Sequence, residues 1–103
     1  MSRHFYDIIY SNEDLALNQT SDHILLHEYD SYHVFGSTDT SHGSLTVQCS
    51  IDASNFYDTT NSLVWNISGD VFGSFMNDAK YIRMKAGQDT SNVTLLLSAR
   101  KGD

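Results

Sequence analysis

Between Leu45 and Ile51 apolar and polar residues alternate without a break. Leu45, Val47, Cys49 and Ile51 take one side, and Thr46, Gln48 and Ser50 take the other. A period of two is the signature of a strand with one face buried. Asp52-Ala53-Ser54-Asn55 follows, where short polar side chains bond their own backbone and turn the chain. Phe56 and Tyr57 then restart the apolar pattern. The stretch from Ser44 to Asp58 therefore reads as a β-hairpin whose first strand lies across the middle of a sheet.

The rest of the chain repeats this grammar. Arg3 to Tyr10 is rich in aromatic and β-branched residues and reads as a strand, closed by a polar turn at Ser11–Asp14. Leu15 to Leu17 gives a short second strand. His23 to Tyr29, HILLHEY, is too short for a helix to be assigned. Tyr32 to Phe35 gives another strand, and Gly36 to Gly43 is a loop by composition. Thr59 to Ser62 reads as a turn. Further strands fall at Leu63–Ile67, Val71–Met76, Ala79–Ala86 and Val93–Ala99, with a charged, frayed tail from Arg100 to Asp103. Gly73 inside its strand marks a bulge or a close backbone approach. No helical period holds over ten residues. Eight to ten short strands between turn signals predict an all-β fold, a single antiparallel β-sandwich of jelly-roll or galactose-binding-like type, with residues 1–103 as one domain.

Bulk properties narrow the function. The chain of 103 residues carries a formal charge of −7 with only six Lys and Arg, which argues against nucleic acid and against anionic membrane surfaces. No run of apolar residues reaches transmembrane length, and Arg3, His4 and Asp7 interrupt any N-terminal leader. The single cysteine, Cys49, excludes an internal disulfide and, on an apolar face, reads as a buried inert thiol. With no proline in the chain, sheet edges must be guarded by charge, by bulges or by a partner.

No arrangement of residues calls for catalysis: there is no Ser-His-Asp order, phosphate loop or HExxH. The expectation is no enzyme, no cofactor and no metal. His23 and His27, on a strand, would stand about 13 Å apart, too far for one ion. If several of the five histidines lie at an interface, assembly depends on pH between about 5 and 7. Asp52, Asn55 and Asp58 suit turn formation better than calcium. Trp65, Phe56 and Phe72 are assigned to the core rather than to a sugar platform. Tyr29, Tyr32 and Tyr57 are the interface candidates, since a tyrosine keeps a polar tip at a wet contact. Ile9 and Leu96 join them, because they sit on the nominal outward face of their strands.

Three segments together carry a resemblance. SLTVQCSIDASNFYD, then AKYIRMKA, then SNVTLLLSAR resembles a module of tailed-bacteriophage virion proteins, in which a strand ends in an S-x-D-G-x-N-W/F-x-D hairpin, followed by A-R/K-Y-I/V-R-x-K and a final V-T-L/V strand. The same order is similar to the second half of discoidin-like sandwiches. The match spans Ser44 to Lys101, and Ala53 stands where the pattern has Gly. The resemblance implies a structural component of a bacteriophage particle, best a capsid decoration (cement) protein. It would be made in the host cytoplasm and carried in the virion. Its partners would be the major capsid protein or other virion proteins, with homo-oligomer formation possible in principle. A carbohydrate-binding module of a tail or fibre, and a neck or tail-associated protein, are the alternatives.

Overall fold

The computed structural model describes residues 3–77 and 79–102. Eight strands make up the regular structure: β1 (Arg3–Leu15), β2 (Ile24–Leu25), β3 (Ser31–Thr38), β4 (Gly43–Ser50), β5 (Tyr57–Trp65), β6 (Gly69–Met76), β7 (Tyr81–Ala86) and β8 (Thr90–Lys101). They form two four-stranded antiparallel sheets, ordered β1-β8-β3-β6 and β2-β7-β4-β5. The pairing is nested. β4 pairs with β5, β3 with β6, β2 with β7 and β1 with β8, and successive nested pairs alternate between the sheets. That arrangement is a jelly roll, the first of the two sandwich types expected. No helix long and apolar enough to cross a membrane occurs among the described residues.

Each core strand sends every second residue between the sheets. Val34, Leu97, Val47 and Met84 are fully buried there, and Leu45, Leu63 and Trp65 close the far side. Two polar ties cross the sandwich or its loops. The Tyr10 hydroxyl donates to the Met84 carbonyl at 3.4 Å, joining the two sheets, and burial pushes its pKa up to about 12. Trp65 Nε1 donates to the Thr40 carbonyl at 3.0 Å and so pins the β3–β4 loop over the indole.

Several expected boundaries move. Ser11–Asp14 is not a turn but the bulged continuation of β1, whose register against β8 shifts three times between Ile8 and Leu15. Asn12 takes a positive φ of 55°, and its N–H donates to Thr94 Oγ1. Polar residues fit there because an edge strand need bury little. Only Leu15 of the expected second strand is paired, while Ile24–Leu25 of HILLHEY forms the short edge strand. Gly36 lies inside β3, and Thr59–Ser62 lies inside β5. The tail is ordered into β8 as far as Lys101; Asp103 lies outside the described residues. Cys49 faces the core side but only half-buried, and Ile51, one residue past β4, is 80% exposed.

Candidate functional site: the outer face of the β1-β8-β3-β6 sheet

The two outer faces of the sandwich are built differently. On the β2-β7-β4-β5 side, charged and polar groups satisfy one another. Arg83 Nε donates to Gln48 Oε1 at 2.7 Å, and Gln48 Nε2 donates to Asp58 Oδ1 at 2.8 Å. Lys85 Nζ lies 3.1 Å from the same carboxylate. The Gln48 bond, then Lys85, holds the Asp58 pKa below its ordinary value. The Arg83 guanidinium lies 4.0 Å from the Phe56 ring centre, and His23 meets both Phe56 and Tyr81. This face is tied together by its own polar side chains, with Leu25 and Val64 standing 52% and 66% exposed among them.

The other face is not. Register alone brings four apolar residues into one row across all four strands: Ile8 opposite Leu96, Leu96 opposite Phe35, and Phe35 opposite Phe72. Exposure is 61% at Ile8, 38% at Phe35 and 65% at Phe72, with Leu96 half-buried between them. The neighbouring row holds Tyr6, Ser98, His33 and Ser74. Tyr6 is 70% exposed, and His33 stacks on Phe72 at 5.7 Å. His33 Nδ1 is buried with no hydrogen-bond partner among the described residues. A shallow groove of about 220 Å³ runs between Tyr6, Asp7, Ile8, Phe35 and Leu96. From the size of these side chains the row exposes roughly 400 Å² of apolar surface, within the range of a monomer's largest patch.

Charge is nearly absent from this face. Alternation along the strands puts Arg100 outward at one end beside His4, and Asp70 outward at the other. With Asp7, which lines the groove at the β1 edge, that leaves one formal positive and two formal negative groups in a chain of net charge −7. What such a surface can do is exclude water against another apolar surface.

The expected interface residues scatter. Leu96 lies at the centre of the row. Ile9 does not face outward: it is the bulge residue between the Ile8–Leu96 and Tyr10–Leu95 pairs, packs against the core, and leaves the outward position to Ile8. Tyr32 is a correction as well. It is 1% exposed with its ring 5.5 Å from Phe75, because it shares the inward phase of Val34. Tyr29 is half-buried on Phe5 in a cleft of about 410 Å³ between the β1 and β2 edges, together with His23, His27 and Glu28. Tyr57 is 67% exposed but belongs to the opposite sheet. Phe72, assigned to the core, is on the surface. Tyr6, Ile8 and Phe35 were not singled out by sequence reasoning, although three successive leucines at 95–97 did break the alternation where the row crosses β8. Among the described residues no three His, Cys, Asp or Glu gather as metal ligands.

The strand order and the two unlike faces define the class, an eight-stranded jelly roll with one apolar outer face. No protein-family model matches this sequence, nor does any curated protein. Solved structures do share the fold. The SPBc2 prophage-derived protein YomS superposes with a TM-score of 0.65 over 98% of this chain and 96% of that one, at 10% identity. The PBSX exported protein XepA matches all of this chain with 37% of its own length, at a TM-score of 0.58 and 9% identity. Murine APRIL matches 94% of this chain and 98% of its own, at 0.55 and 8%. At such identities the likeness is one of fold.

Proposed function

We propose that this chain is a structural subunit of a bacteriophage particle, a capsid decoration protein that lies across shell subunits and strengthens the shell by burying surface between them. The observation that carries the reading is the uncovered apolar row from Ile8 to Phe72, on a face with few charged groups. Proteins that act by contact need such a face; a standard contact buries on the order of 1,600 Å² in total. Fold likeness to a prophage-derived protein and to an exported protein of PBSX supports the phage setting. A sugar platform on Trp65 is disfavoured, since that ring is 7% exposed and hydrogen-bonded inward.

Mass-spectrometric stoichiometry of purified particles tests this. Hundreds of copies per particle are expected of a decoration protein. A handful of copies would move the protein to the neck or tail, and absence from the particle would remove the structural reading.

A further inference from the structure

We infer that the apolar face of the β1-β8-β3-β6 sheet packs against the same face of a second copy, about a two-fold axis that runs along the row from Ile8 to Phe72. This rests on reading that face as a protein contact and gives the contact to a second copy, so that in a particle the dimer would meet the shell through its other surfaces; it does not rest on the phage assignment.

Three observations select a second copy as the occupant. The first is charge. A chain of −7 presents a face with Arg100, Asp70 and, at the β1 edge, Asp7, so a strongly basic or acidic partner finds little complement there. A surface of few charges does, and a second copy presents one.

The second is the arrangement of Arg100 and Asp70. The axis reverses strand direction and keeps each strand over its own counterpart, so Arg100 falls over the far end of the copy's β8, on the same side of the axis as Asp70 but two strands from it. Like ends are kept apart. An axis parallel to the strands would instead bring like ends together.

The third is shape and area. The row runs perpendicular to the strands, so residues on the axis meet their own counterparts: Phe72 on Phe72, Phe35 on Phe35, Leu96 on Leu96. Such self-matching is what an isologous contact requires. Four strands at about 4.8 Å and eight residues at about 3.3 Å outline a face of roughly 500 Å². Side chains standing on it raise the accessible area towards the roughly 800 Å² per partner of a stable interface. Two sheets packed face to face at about 30° are the ordinary geometry of a sandwich core, here made between chains. The dimer then leaves Tyr57, Val64 and Ile67, all at least 66% exposed, free on its outside for other subunits.

Sedimentation velocity of the purified chain decides the matter. The expected species at micromolar concentration has twice the 11.6 kDa mass of the monomer. Phe72→Glu places a carboxylate beside its own copy on the axis, and should weaken the dimer at least about 100-fold. Because Phe72 is 65% exposed in the single chain, the variant should keep its thermal transition. Ile8→Glu is a second probe at the other end of the row, and Ile67→Glu, off this face, should leave the dimer unchanged. A wild-type chain that stays monomeric, forms trimers or larger species, or dimerises regardless of both Phe72→Glu and Ile8→Glu overturns the inference. Disruption by Ile67→Glu alone does the same. Particle stoichiometry does not enter any of these readouts, so the dimer and the phage assignment stand or fall separately.

Discussion

At the scale of single residues, the turn after β4 holds the sharpest physics. Asp52 accepts the N–H groups of Ser54 and Asn55, each at 2.9 Å, together with the Asn55 amide and the Ser50 hydroxyl. The Asn55 N–H contributes most, then that of Ser54, and the carboxyl is held well below the usual carboxylate range. A depressed folded pKa means stability that is complete above the unfolded pKa, about 3.9, and that drains away as pH falls towards the folded value. Asp52→Asn should therefore unfold at lower urea than the wild type at neutral pH, with the gap narrowing as pH is lowered from about 4 towards 2. An unchanging gap would show that the charge is not what organises the turn. Ala53, where the phage-like pattern carries Gly, sits at a φ of 64°. A left-handed alanine costs about 1 kcal/mol, so Ala53→Gly should raise stability by up to about that much in the same titration. This turn was legible in the sequence because its bonds are local. The orientations of Ile9 and Tyr32 were not, since a bulge and a partner strand fix them.

At the scale of elements, the strands could be read and their limits could not. Alternation marks a strand wherever one face is buried, which holds for β3, β4, β7 and β8. It fails for β1, an edge strand whose polar stretch is solvated on both sides. That edge is protected by two of the devices expected of a chain without proline. Its bulges bend it, and Asp7 and Glu13 accept the N–H groups of Ile8 and Ser11 that a neighbouring strand would otherwise use. The apolar row is harder still to foresee, because its four members come from four segments and meet only through register. Gly36 shows how tight that register is. A Cβ there would fall 1.8 Å from the Thr94 carbonyl oxygen on β8, so β3 and β8 approach closely only because the position is bare. Gly36→Ala should cost about 3 kcal/mol by forcing the two strands apart. In a chain of this length that lowers the melting temperature by roughly 15 °C, measurable by circular dichroism. A shift of only a degree or two would mean the sheet relaxes there at no cost.

At the scale of the whole molecule, the nested pairing dictates an order of assembly. Arg3 pairs with Lys101, so the outermost pair joins the two ends of the described chain, whereas β4 and β5 are separated only by the short turn around Asp52. Loop-closure entropy rises with the length closed, which places the innermost pair first and β1–β8 last. Such non-local topology belongs to the millisecond-to-second range of folding rates, and a chain with no proline has no prolyl isomerisation to add a slower phase. Trp65 is a single buried reporter on β5, within that inner pair. Stopped-flow refolding followed by its fluorescence, in the Phe72→Glu background so that association stays out of the rate, should give one exponential. Leu63 and Leu97 are both buried, at 3% and 1% exposure, and truncating either to alanine should cost about 2–5 kcal/mol. Their kinetic signatures should differ. Leu63→Ala, in the inner pair, should slow refolding, while Leu97→Ala, in the last pair to close, should mainly accelerate unfolding. The reverse pattern would show that the chain ends meet before the central hairpin forms, and that the roll closes from the outside in.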